Sequence, residues 1–280
     1  MDLPAAASRP LAAFEVVMAS ARAAVEPGLY AQARAQIASA LDFGPPQPGD
    51  ADPACLAFAE QFALDVSAIT AEQRGALTAA LGAKAAPFGQ ALYAIDFELR
   101  LRAMFRELFG GDPLPAETSA APRELWPALE AILPEIARLS SLDPFTTELV
   151  RLRGARAHNC RMCKSLRNVR AVESGGDEAT FDKIDRYERS DLAERHKVAL
   201  RLVDALLWRP GDFPTGLAEQ VHAHYTPAEI VEIVLDVTRN ALNKFAVAMG
   251  VDGIGVGDGI GYYDTDERGE LVYGLTPHGA

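Results

Sequence analysis

The stretch DPFTTELVRLRGARAHNCRMCKSLRNVR, from Asp143 to Arg170, decides how this chain is read. Its first part reads as a helix over Thr146 to Ala157. Its second part reads as another from Cys160 to Ser174, with Asn159 as the N-cap. Cys160 and Cys163 form a C-x-x-C at the start of that second helix. This spacing lets one thiolate meet an external oxidant while its neighbour closes a disulfide.

The same three- and four-residue apolar spacing extends outward in both directions, and no convincing alternating strand precedes residue 260, so the body is expected to be all-α. Helices are expected over Pro10–Ala24, Leu29–Leu41, Ala54–Asp65, Ala71–Leu81, Pro87–Phe109 and Trp126–Leu139 before the cysteines. After them come Glu178–Tyr187, Asp191–Leu207, Thr215–His224 and Pro227–Met249. Turn chemistry separates them at Gly44–Gly49, Gly110–Pro113 and Arg209–Asp212.

The Pro-, Ala- and Gly-rich segment after Gly110 divides the chain into a first unit over 1–110, a linker over 111–125, and a cysteine-bearing unit over 126–250. The two units read as a weak tandem repeat. Phe88, Leu92, Ile95 and Leu99 punctuate one long helix as Val231, Val234, Val237, Ala241 and Phe245 punctuate the other. The first unit has no cysteine pair, so chemistry is expected in the second. The tail over 251–280 changes character: a glycine-rich strap through Gly253, Gly255, Gly257, Gly259 and Gly261 leads into a short hairpin, Tyr262–Asp264 with Glu270–Tyr273. No strand-then-helix context surrounds those glycines, so they read as a connector rather than a phosphate cradle.

Composition narrows the function. With 280 residues, 49% of them apolar, the chain can bury a substantial core. A net charge of -12 argues against a nucleic-acid surface, which concentrates Lys and Arg on one face. The N-terminus lacks a basic leader and a long apolar run, so neither a signal peptide nor a membrane span is expected. Three cysteines fit a reducing, cytoplasmic setting in which a disulfide is transient, with Cys55 left over as a small buried hydrophobe.

At a helix N-terminus the backbone N–H groups and the positive end of the dipole lower a thiol pKa, to roughly 3.5–7.5 in the strongest cases. By this logic Cys160 and Cys163 are equal choices for the attacking thiol. Arg161, Lys164 and Arg167 add positive charge. On one continuous helix Arg167 shares a face with Cys163 and can hold its thiolate. Glu148, on the preceding helix, is the candidate proton acceptor or the carboxylate partner of Arg167. Zinc is not expected, since Cys55 is the only other thiol and His158 is too near to complete a usual ligand spacing. His222 and His224 are two apart and cannot share a helix face. Asn240, Asn243 and Lys244 interrupt an apolar helix and read as interhelical hydrogen-bonding or capping groups.

These residues resemble the alkylhydroperoxidase D-like and carboxymuconolactone decarboxylase superfamily in its cysteine-bearing branch. That family carries a Glu, then twelve residues on a C-x-x-C, then four residues on a His. Glu148, Cys160 and Cys163 match in type and spacing, and Leu142-Asp143-Pro144 and the segment from Asn240 to Val251 are similar as well. The resemblance is good from about Asp143 to Val251 and faint over Leu29 to Phe109. It departs at the His position, which is Arg167 here, and an arginine does not exchange protons near pH 7.

The resemblance implies two tandem alkylhydroperoxidase D-like helical units in a homo-oligomer. It further implies a thiol peroxidase or disulfide reductase in which Cys163 attacks a small hydroperoxide and Cys160 resolves it. An external dithiol, thioredoxin-like or lipoyl, would be the reductant, with no flavin, haem or metal cofactor. Catalytic roles then fall on Cys163, Cys160, Glu148 and Arg167. The alternatives are a lactone decarboxylase-like lyase, which needs acid-base groups rather than redox thiols, and a non-catalytic redox-sensing interaction protein.

Overall fold

Four helices begin with the same device. Glu26, Asp52, Asp143 and Thr226 each accept a hydrogen bond from a backbone N–H of the first turn, and each is followed by a proline at the first helical position. There the missing N–H costs nothing and the fixed φ favours the helix. Glycines in the left-handed conformation end two others, Gly110 at φ 67° and Gly250 at φ 74°.

The computed structural model describes residues 3–253, 257 and 259–277. The body is all-α. In chain order it comprises α1 (Ser8–Ala24), α2 (Pro27–Ala40), α3 (Pro53–Leu64), α4 (Ala71–Leu81), α5 (Ala85–Phe109), α6 (Leu125–Ala137) and α7 (Pro144–Ala157). The short α8 (Arg161–Lys164), the strand β1 (Leu166–Asn168), α9 (Val169–Glu173) and α10 (Glu178–Asp182) follow. Then come α11 (Glu194–Trp208), α12 (Leu217–His224), α13 (Pro227–Asn240) and α14 (Lys244–Met249), and finally the hairpin β2 (Gly261–Thr265) and β3 (Leu271–Tyr273).

The two halves pack in parallel ways. In the first, α1 and α2 lie on α5, α2 lies on α3, and α3 lies on α4. In the second, α6 and α7 lie on α13, α7 lies on α11, and α11 lies on α12. The halves meet where α1 packs on α6 and α5 on α14. Their buried apolar side chains form one continuous core, from Phe14 and Phe58 through Leu92 and Phe105 to Val203 and Val234. A smaller cluster around Leu149, Phe181, Ile184 and Leu200 packs the insertion between α7 and α11.

One offset sets Pro87, Asp96, Phe105 and Gly110 of the α5 segment against Pro227, Asp236, Phe245 and Gly250 of the α13–α14 segment. α5 is unbroken and carries buried charge into the centre. Arg100 is bonded to Asp96 at 2.7 Å and donates to the carbonyls of Ala63, Leu206 and Leu207 at 2.8 Å each. It thereby fastens the C-terminal ends of α3 and α11 together. Lys244 reaches Asp96 from the other half at 2.6 Å. Lys244 has Met104 as its counterpart in the same register, so Asp236 lacks the cation that Asp96 has; one of its oxygens is buried without a hydrogen bond.

Three expectations need correction. The helix expected over Cys160–Ser174 stops at Lys164, because Leu166–Asn168 pair in parallel with Gly261–Tyr263, and Asn168 then caps α9 by accepting from Ala171 N–H. Past Asp182 the helix expected to Tyr187 tightens into a 3₁₀ segment over Lys183–Arg189. The long helix expected from Pro227 to Met249 is broken by a 3₁₀ turn at Ala241–Asn243. The expected hairpin is present, antiparallel, with its turn at Gly269. The glycine-rich strap falls partly on residues 254–256 and 258, outside the described residues. Among the described residues no helix is long and apolar enough to cross a membrane.

Candidate active site

α7 ends at Ala157 and the chain must turn at once to begin α8. Asn159 makes the turn in the left-handed region at φ 52°, a conformation that asparagine tolerates better than most side chains. The N-cap is therefore Cys160, one residue beyond the expected one, and its Sγ accepts from Cys163 N–H at 3.3 Å. Asp252 satisfies the two remaining donors of this short turn. Its carboxylate accepts from Arg161 N–H at 2.8 Å and its carbonyl from Met162 N–H at 3.2 Å. Gly253 follows because the Arg161 guanidinium lies where a Cβ would be. Burial works to raise the Asp252 pKa, but the Arg161 side chain and backbone hydrogen bonds outweigh it and hold the carboxyl below its ordinary value.

Cys160 and Cys163 are joined in a disulfide, with Cα atoms 5.3 Å apart. Cys160 is fully buried and Cys163 is 8% exposed. Cys55, the third cysteine, is free and buried.

Behind the disulfide lies an arginine clamp that sequence spacing does not reveal. Arg151 donates to the carbonyls of Cys163 at 2.8 Å and Leu166 at 2.6 Å, fixing the loop that carries the sulfurs. Its Nε and one terminal nitrogen meet both oxygens of Glu148, at 2.7 and 2.6 Å. Glu148 also accepts from Asn168 N–H at 3.2 Å and from the Tyr263 hydroxyl at 3.3 Å. Burial alone would lower the Arg151 pKa, but the Glu148 carboxylate overrides it and keeps the guanidinium charged. Burial likewise pushes the Tyr263 hydroxyl above its usual range.

Glu148 is thus the partner of Arg151 and not of Arg167. Arg167 forks onto Glu178 with two bonds of 2.7 Å, donates to the carbonyls of Lys164 and Leu166, and lies over the Phe181 ring. With α8 ended at Lys164, the four-residue spacing no longer sets Arg167 on the face of Cys163, and it makes no bond to either sulfur.

Cys160 and Cys163 are among the residues lining a cavity of about 390 Å³. Trp126, Leu133, Leu242 and Phe245 give it apolar walls, and Arg151, His158 and Tyr263 surround the disulfide. Arg239, Asn240 and Asn243 reach it from the break between α13 and α14. His158 is 8% exposed, and among the described residues its ring has no hydrogen-bond partner. Burial, then Lys244 and Arg100, hold its pKa well below the ordinary value, so the imidazole is neutral at pH 7. Lys244, buried behind it, is lowered by burial to about 8, against the opposing pull of Asp96. Among the described residues no group of three or more His, Cys, Asp or Glu side chains is placed to hold a metal ion.

Fold and site together define an all-helical protein with a C-x-x-C disulfide on the wall of a mostly apolar cavity. The chain is 42% identical over 230 residues to the Mycobacterium tuberculosis proteins described as "Uncharacterized protein Rv2313c" (strain H37Rv) and "Uncharacterized protein MT2376" (strain CDC 1551). The match covers 78% of this chain and 79% of each relative, and the chain belongs to their family. It is also similar to "Uncharacterized protein YdfG" of Bacillus subtilis, 26% identical over 114 residues, which covers 40% of this chain and 78% of that protein. No family model matches the chain. No solved structure matches it.

Proposed function

We propose that this protein is a thiol-dependent peroxidase or disulfide reductase of the alkylhydroperoxidase D-like type. One observation carries the reading: the two disulfide-bonded cysteines line a cavity, with Cys160 fully buried and Cys163 8% exposed. Electrostatics and access favour different sulfurs. The N-cap hydrogen bond stabilises a thiolate on Cys160, whereas of the two residues only Cys163 has accessible surface. Attack on an external substrate requires contact, so access decides for Cys163 and leaves Cys160 as the resolving thiol.

In the reduced protein the Cys163 thiolate attacks one oxygen of a hydroperoxide. An S–O bond forms as the O–O bond breaks, and the alkoxide leaves as the alcohol after taking a proton. The Cys160 thiol then attacks the Cys163 sulfenic acid. The S–S bond forms, and the hydroxyl departs as water with the Cys160 proton. An external dithiol returns two electrons and two protons by exchange, becoming a disulfide itself. Arg151 holds the Cys163 carbonyl throughout and is a positioning residue. His158 lines the same cavity, and its lowered pKa makes the ring a weak proton acceptor.

The test is turnover of an organic hydroperoxide with a dithiol. Cys163→Ser should abolish it, while Cys160→Ser should consume one equivalent of peroxide and hold a sulfenic acid that a dimedone probe labels. No hydroperoxide turnover in the parent protein, with decarboxylation of a lactone that the double Cys→Ser variant retains in full, would instead favour a lyase.

A further inference from the structure

Arg239 stands in the last turn of α13, half-buried on the wall of the disulfide cavity. Among the described residues its guanidinium makes no hydrogen bond or ion pair. The other guanidinium lining this cavity, Arg151, is bound on both faces of its fork by Glu148 and by two carbonyls. An arginine without an anion on the wall of a mostly apolar cavity is a recognition group awaiting one. We infer that the molecule bound beside the disulfide is an apolar monocarboxylate, its carboxylate held by Arg239 and its hydrocarbon body lying along Trp126, Leu133, Leu242 and Phe245.

This rests on the peroxidase reading for what happens at the sulfurs and adds the class of substrate, the hydroperoxide of an apolar acid. A carboxylate fits better than a phosphate. One planar fork matches two oxygens of either anion, but a phosphate dianion brings a second charge that a single guanidinium leaves unmatched, and Arg151 is already engaged. Asn240 and Asn243, beside Arg239 on the same wall, offer amide groups to the same end.

The protein's own acids do not neutralise Arg239. Asp236, one turn earlier on α13, is pushed up by burial and by Glu232 to about 8 against the pull of Arg239, and it makes no hydrogen bond or ion pair with that guanidinium. Glu130 of α6 lies on the cavity rim, exposed to solvent, with no bond to Arg239. Tyr263 and Tyr273 face the cavity from the hairpin with hydroxyls rather than carboxylates.

Calorimetric titration of the oxidised full-length protein with decanoate, decanol and decyl phosphate at pH 7 tests the assignment without any peroxide. Decanoate should bind at least tenfold more tightly than decanol. Arg239→Gln should weaken decanoate by about ten- to hundredfold, the range for losing one charge-assisted hydrogen-bonded contact. Arg239→Lys should recover part of that loss, and the unfolding midpoint of both variants should match the parent protein. Equal binding of decanoate and decanol, or an Arg239→Gln variant that keeps the preference, would overturn the inference. Tighter binding of decyl phosphate would overturn the carboxylate class. Because no turnover is read, a protein that binds decanoate but reduces no peroxide would sink the redox function and leave the anion site standing. The reverse result would do the opposite.

Discussion

The α5 and α13–α14 segments can be set in one register and differ in what they do. α5 runs unbroken to Gly110 and brings Asp96 and Arg100 into the centre, where each of the three guanidinium nitrogens of Arg100 finds an acceptor. The second segment breaks at Ala241–Asn243, and Arg239, Asn240 and Asn243, at and just before the break, line a cavity. Upstream, α2 is followed by a plain loop, whereas α7 is followed by an insertion that carries the cysteine pair and a strand. One helical plan, folded twice, gives a half that holds the molecule together and a half with room for chemistry.

The largest effect should come from breaking the first half. Asp96→Asn leaves Arg100 and Lys244 buried without their carboxylate and should cost about 3–5 kcal/mol in urea unfolding. Adding Lys244→Met, which copies Met104 into the second half, should restore a good part of the loss. If Asp96→Asn alone is neutral, the central ion cluster is not what joins the halves.

Asp236→Asn, the same change at the matching position, should have the opposite sign. A native carboxyl raised to about 8, against roughly 3.9 in the unfolded chain, binds its proton more tightly when folded. That contribution is fully present below about pH 4 and is lost as pH rises to about 8. At pH 7 the penalty is at most about 4 kcal/mol, so the variant should gain on the order of 2 kcal/mol after the cost of burying an amide. Its stability should also fall less steeply between pH 5 and 8 than that of the parent protein. Parallel pH profiles would mean that Asp236 is ionised and paired at neutral pH.

The smallest effect sharpens the cysteine-bearing half. Tyr263→Phe removes one hydrogen bond to Glu148 and should cost about 1 kcal/mol. It should leave the disulfide able to form, as a thiol titration before and after reduction would show. A loss several times larger would mean that the tail carries Glu148 and Arg151, rather than resting on them.

Much of the helical plan was legible because it is written locally. Asp143-Pro144 and Thr226-Pro227 mark starts, Gly110 marks a stop, and the spacing of Cys160 and Cys163 permits the bond they form. The errors lie where distant residues decide. Leu166-Arg167-Asn168 shows no strand periodicity in three residues, and its partner Gly261–Tyr263 lies far along the chain. Ending α8 there moved Arg167 away from Cys163 and put Asn168 on Glu148. Asn159 suits both an N-cap and a left-handed turn, and only the path from α7 into α8 chooses between them. Arg239 and His158 join the site through packing alone. The sequence signal of His158 was its place two residues before Cys160, and that of Arg239 was polarity within an apolar-periodic helix, which also describes ordinary interhelical contacts.

The parallel pairing of β1 with β2 also sets an order of assembly. Contacts of such long sequence separation close late, after the loop between them has been ordered. During synthesis the cysteines emerge well before Gly261–Thr265 and Leu271–Tyr273, the residues that complete the wall beside them. A nascent chain therefore carries two thiols with neither the Tyr263 contact nor the finished cavity. Whatever selectivity the cavity confers is acquired only when the last strands dock.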